Sequence, residues 1–138
     1  MIKDVIDAWN DRKDILRQAI EKTFLEDVDY EEMVRLIAIH IIGIEEDDLL
    51  LVKAETDEYQ GCICFLFCHD RCSCYGFHTT LAYYGSCSGC DTILGITQYQ
   101  TGLPRHDQVD ELMDLCLSLV QRIKRPYDYD AKEMEVSA

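Results

Sequence analysis

Basic residues are scarce in this sequence. Thirteen lysines and arginines face 27 aspartates and glutamates, a formal net charge of −14. A protein that neutralises nucleic-acid phosphates needs a basic footprint, so direct nucleic-acid binding of the ordinary kind is excluded. Long apolar runs are missing as well; none approaches the roughly 20 residues that a membrane-spanning helix requires. The opening Met1-Ile2-Lys3-Asp4 lacks the basic segment and apolar core of a secretory leader. No signal peptide and no membrane partner are therefore expected, and the cytoplasm is the expected location. Internal repeats, low-complexity tracts and inter-domain linkers are also lacking. At 138 residues the chain reads as one domain with a real core, spanning 1–126, followed by a flexible acidic tail over 127–138.

What is present is a moderately apolar chain, 48% hydrophobic and 29% charged, with its acidity concentrated early. Residues 1–60 hold 17 acids and 7 bases. Such a surface promotes solubility, attracts basic partners or imitates a phosphate backbone. The eight cysteines read, in a reducing compartment, as buried, metal-bound or catalytic thiols in preference to disulfides.

Periodicity predicts α+β architecture: two N-terminal helices, a three-stranded antiparallel sheet, a short helix and a long C-terminal helix. Val5, Ile6, Trp9, Leu16, Ile20 and Phe24 mark the first helix. The second is capped by Asp29, carries Met33, Leu36, Ile37, His40 and Ile41 inward, and ends at Gly43. Leu49 to Val52 reads as a strand. Cys62–Cys68 and Cys74–Tyr84 read as hairpin arms around a five-residue loop. That loop puts Cys68 opposite Cys74 and Cys64 opposite His78, with Ile63, Phe65, Phe67, Tyr75, Phe77 and Leu81 on one apolar face. The last helix is capped by Asp107, runs along Val109, Leu112, Met113, Cys116, Leu119, Val120 and Ile123, and is stopped by Pro126. The apolar faces of its long helices leave room for a homodimer.

The stretch around which the rest is organised is Tyr84-Gly85-Ser86-Cys87-Ser88-Gly89-Cys90-Asp91-Thr92. Two glycines loosen the backbone, two thiols stand at C-x2-C spacing, and Asp91 is placed to cap the helix that follows or to act as a polar ligand. Its backbone N–H groups would form an anion nest. Gly85, Ser86, Ser88 and Asp91, with Asp57, Tyr59 and Gln60 from the preceding turn, are the candidate ligand-binding residues, for a small anionic ligand or a partner protein. Cys68, Cys72, Cys87 and Cys90 are the candidate ligands of a zinc ion. A thiol enzyme would use Cys87 or Cys90 as nucleophile, but Asp91 beside them works against a low thiol pKa.

Together with Asp57-Glu58-Tyr59-Gln60-Gly61 and the ending Met113 to Lys124, this tract resembles a family of small uncharacterised proteins encoded by bacteriophages and other large DNA viruses. The resemblance implies a viral accessory protein acting in the host-cell cytoplasm on a host partner, and it supplies no activity. The hairpin cysteines are particular to this chain, and Ser118 stands where the family pattern suggests histidine. The expectation is thus a protein acting by binding through the Cys87–Asp91 turn. The alternative is an acidic inhibitor of a host nucleic-acid enzyme, using the stripe Asp4, Asp7, Asp11 and Asp14 on the first helix.

Overall fold

In the computed structural model the described residues are 3–55, 61–69, 77–84 and 91–125. The expected α+β class is observed, with helices on one side of a three-stranded antiparallel sheet. Helix α1 (Lys3–Glu21) buries Val5, Trp9, Leu16 and Ile20 on one face. Phe24 does not complete that stripe. The chain leaves the helix after Glu21, the Thr23 hydroxyl donates to the Ala19 carbonyl at 2.9 Å, and Phe24 is left half exposed.

Helix α2 (Tyr30–Ile37) starts as its sequence dictates, with the Asp29 carboxylate accepting from the Glu32 N–H at 2.7 Å. Its continuation, Ala38–Ile42, widens into a π turn that the 3.6-residue period does not foresee. The Gly43 N–H there donates to the Ala38 carbonyl at 3.0 Å. Gly43 has φ of +93°, and a Cβ at this position would stand 2.9 Å from Arg12 Nη1. Glycine therefore serves the left-handed backbone, and the flexible Arg12 guanidinium occupies the space beside it.

The sheet has the order β1 (Leu49–Glu55), β2 (Gly61–His69), β3 (His78–Tyr84). Its register corrects the expected hairpin. Cys64 pairs with Leu81 and Phe67 with His78, a shift of three positions from the pairing that a five-residue loop implies. An odd shift exchanges the two faces of a strand. His78, Thr80 and Ala82, and not Leu81, therefore share the helix-covered face with Ile63, Phe65 and Phe67. The polar Thr80 is accommodated because its hydroxyl donates to the Leu119 carbonyl at 2.7 Å. His78 stacks on Phe67, with ring centroids 5.3 Å apart. Cys74, Tyr75 and Cys72 lie outside the described residues.

Helix α3 (Thr92–Thr97) is followed by Gln98 and Tyr99, both in left-handed backbone. Helix α4 (His106–Gln121) is capped two residues earlier than expected, at Arg105. Asp107 is inside its first turn, paired with the Arg105 guanidinium, and the Gln108 side chain accepts from the Arg105 N–H at 2.9 Å. Gln108 is buried and also donates to the Ile96 carbonyl at 3.1 Å, tying α3 to α4. The other end is shorter than expected. The chain leaves α4 at Gln121, before Pro126, and Lys124 exchanges both backbone hydrogen bonds with Thr79, at 2.8 and 2.9 Å.

The core lies between sheet and helices, built on Phe65, Phe67, Leu16, Ile20, Met33, Ile37, Ile41, Leu112 and Leu119. Each such side chain contributes roughly 1.5–3 kcal/mol by leaving water. The apolar stripes of α1 and α4 are consumed here, so they are not the surfaces on which two copies would meet. The tail expected over 127–138 lies outside the described residues.

Candidate functional site

Strand pairing places the segments of interest. Gly61 pairs with Tyr84, so the chain enters β2 from residue 60 and leaves β3 toward residue 85 at the same end of the sheet. Asp57, Tyr59, Gln60, Gly85, Ser86, Cys87, Ser88 and Cys90 themselves lie outside the described residues. Cys68 sits on β2 opposite Leu50 and is buried. It is seven residues from Gly61, roughly 23 Å along the strand. Cys87, three residues beyond Tyr84, has a reach of about 11 Å. Thiolates on one tetrahedral zinc lie within about 4 Å of each other. A single ion held by Cys68 together with Cys87 and Cys90 would have to span the length of the sheet. Among the described residues no group of three His, Cys, Asp or Glu side chains converges as metal ligands do.

Asp91 is described and buried. Its Oδ1 accepts from the Leu94 N–H at 3.2 Å, capping α3, and from the Tyr30 hydroxyl at 2.7 Å. Burial, reinforced by the bond to Asp91, raises the Tyr30 hydroxyl well above the usual phenol range, so it remains a donor at every physiological pH. The carboxylate thus anchors the downstream end of the glycine-cysteine segment to α2.

A cleft of about 450 Å³ opens beside this anchor, between β3, α3 and α4. Ala82, Ile96 and Leu115 give it an apolar floor. Tyr83, Thr92, Glu111, Asp114, Ser118 and Arg122 supply its polar lining. Glu111, Asp114 and Ser118 follow one another at three- and four-residue spacing, which aligns them on one face of α4. Arg122 caps the same helix; its guanidinium donates to the Leu81 carbonyl at 3.2 Å and lies 4.9 Å from the Tyr83 ring centroid. The segment 85–90 joins the β3 side of this cleft to its α3 side, because Tyr84 ends β3 and Asp91 precedes α3. No histidine, lysine or cysteine is among the described lining residues.

From the sequence, Glu111, Asp114 and Arg122 read only as charges complementing the dipole of the last helix, and Tyr83 and Thr92 are not singled out as site residues. The signal that would have found the cleft is the polar stripe from Glu111 through Ser118, opposite the apolar stripe of the same helix. On α1, Asp7, Asp11 and Asp14 are exposed. Asp4 is engaged by Arg125 at 2.6 and 2.9 Å, which holds its carboxyl below the usual range and interrupts the acidic stripe.

No family model, no curated protein and no solved structure matches the chain. No helix among the described residues is long and apolar enough to cross a membrane.

Proposed function

We propose that this protein acts by binding, and that the cleft between β3, α3 and α4, continuous in sequence with the Cys87–Asp91 turn, receives a basic side chain of a host protein. The observation that carries this reading is the pair of carboxylates, Glu111 and Asp114, standing over an apolar floor of Ile96 and Leu115. An alkyl stem fits the floor while its cationic head meets the acids. The overall charge of −14 favours encounter with such a partner. Among the described lining residues a small anionic ligand would find one cation, Arg122, against the two carboxylates. The likeness of the Tyr84–Thr92 tract to small viral proteins supports an accessory role in an infected cell. Cys87 and Cys90 supply two of the four thiolates a zinc ion takes, and metal content after purification without chelator tests that part.

The binding reading is tested by titrating isotope-labelled protein with N-acetyl-arginine amide and, separately, with inorganic phosphate. Amide shifts at Thr92, Leu115 and Ser118 with the arginine amide, abolished by Glu111→Gln with Asp114→Asn, are expected. Shifts with phosphate alone would sink it in favour of the anionic ligand. Binding that depends on Asp7, Asp11 and Asp14 instead would point to the acidic inhibitor.

A further inference from the structure

The cleft between β3, α3 and α4 runs along an open edge of the sheet. Thr79 exchanges both backbone hydrogen bonds with Lys124, so its N–H and C=O point away from β2. Backbone groups alternate in direction along a strand, and those of Leu81 and Tyr83 therefore point outward as well. The Leu81 carbonyl bears this out, since it accepts from the Arg122 guanidinium at 3.2 Å. Among the described residues nothing pairs with the outward N–H and C=O of Tyr83. Side chains at Ala82 and Tyr83 point to opposite faces of the sheet, yet both residues line the cleft. A cavity that meets both faces of an outer strand lies at its free edge.

We propose that the basic side chain arrives on the extended C-terminal tail of a partner protein, added as a strand antiparallel to β3 along this edge. This mode of binding rests on the reading that the cleft takes a basic side chain, and it specifies the backbone that carries it. Charge sets the direction. Helix α4 meets β3 near its C-terminal end, where the Leu119 carbonyl accepts from Thr80 and Arg122 donates to Leu81. Arg122 thus marks the Leu81 end of the cleft, and Asp114 and Glu111 stand toward the other end. Asp114 and Arg122 are eight residues apart, about 12 Å at the helical rise. An antiparallel strand runs from Tyr83 toward Leu81 and brings a terminal carboxylate to Arg122. A residue three positions before its end, about 10 Å back, comes to the acids. A parallel strand would bring its carboxylate to the acids instead.

Parity agrees with this direction. The tail residue paired with Tyr83 points to the outer side, and the one before it points to the helix side, toward the floor of Ile96 and Leu115. The opposite edge of the sheet is blunted. Lys53 of β1 points to the helix side, 3.6 Å from Glu31, a charged inward residue of the kind that discourages strand addition.

The probe is acetyl-Arg-Ala-Ala-Ala with a free carboxylate, titrated into the full isotope-labelled chain beside N-acetyl-arginine amide. The peptide is expected to bind about tenfold more tightly than the amide, and to slow hydrogen exchange at the Tyr83 N–H. N-methylation of its first alanine, whose N–H meets the Tyr83 carbonyl, should cost about tenfold. N-methylation of the second alanine, whose N–H points away from β3, should cost little. The C-terminal amide of the peptide should bind more weakly than the acid to the native chain, and equally with it to Arg122→Gln. A peptide no tighter than arginine amide, or weakened equally by both methylations, overturns strand addition and leaves the basic-side-chain reading in place. Acid and amide peptides of equal affinity for the native chain overturn the placement of the terminus at Arg122. Loss of the arginine amide shifts themselves is the separate failure of the binding reading.

Discussion

The two faces of one small sheet carry nearly the same chemistry and meet opposite fates. On the helix side Phe65 and Phe67 are fully buried and even Thr80 is 2% exposed. On the other side Leu50, Val52 and Tyr83 are as apolar and about half exposed. Composition does not distinguish them; what lies across from each does. The inner face is closed by α1, α2 and α4 and by one side chain–backbone bond from Thr80. The outer face meets the helices only at its β3 margin, where Tyr83 borders the cleft and lies 4.9 Å from the Arg122 guanidinium. Parity therefore sets most of the difference in burial on this sheet, with Cys68, on the outer side opposite Leu50, the buried exception.

Substitution can sharpen that contrast. Phe67→Ala removes a fully buried ring that also stacks on His78, and a loss of about 3–5 kcal/mol in denaturant unfolding is expected. The next effect belongs to pH. Burial raises the Cys116 thiol from 9.0 to about 12. Below pH 9 both folded and unfolded chains hold this proton. Between 9 and 12 only the folded chain does, so stability falls as pH rises, by up to about 1.4 kcal/mol per unit. Cys116→Val should flatten that part of the curve, as followed by melts at stepped alkaline pH. Thr80→Val leaves the Leu119 carbonyl without its hydroxyl donor and should cost about 1–3 kcal/mol. Val52→Ala, on the outer face, should change the stability of dilute protein by no more than about 0.5 kcal/mol. A large loss there, or a negligible one at Phe67, would break the distinction.

Much of the fold was legible in the sequence where one face of an element is polar. The stripe of α1, the Asp29 cap and the buried run of α4 follow from spacing, since each has a charged face to contrast with its apolar one. The hairpin is harder because both its faces are apolar. Alternation fixes a register only when the two faces differ. With Leu81 more hydrophobic than Thr80, the pattern favoured a pairing three positions away from the one that Thr80 stabilises by bonding to α4. The π turn before Gly43 and the early end of α4 were illegible for another reason. Both depend on tertiary partners, Arg12 in one case and the Thr79 backbone in the other. Of the candidate site, the capping role read for Asp91 is seen in the structure, with the carboxylate also held by Tyr30 across 61 positions of sequence. The cleft on α4 was missed because acids in the first turns of a helix already have an explanation in its dipole.

Which side chains of β3 face the helices decides what lines the cleft and what stands on the outer face, and cross-strand nuclear Overhauser effects report that directly. Contacts between the Phe67 and His78 rings, between Cys64 and Leu81, and between the Thr80 methyl and Leu119 are expected. Contacts between Cys64 and His78, with Leu81 against α4, would contradict the register. They would turn the cleft and the outer face inside out.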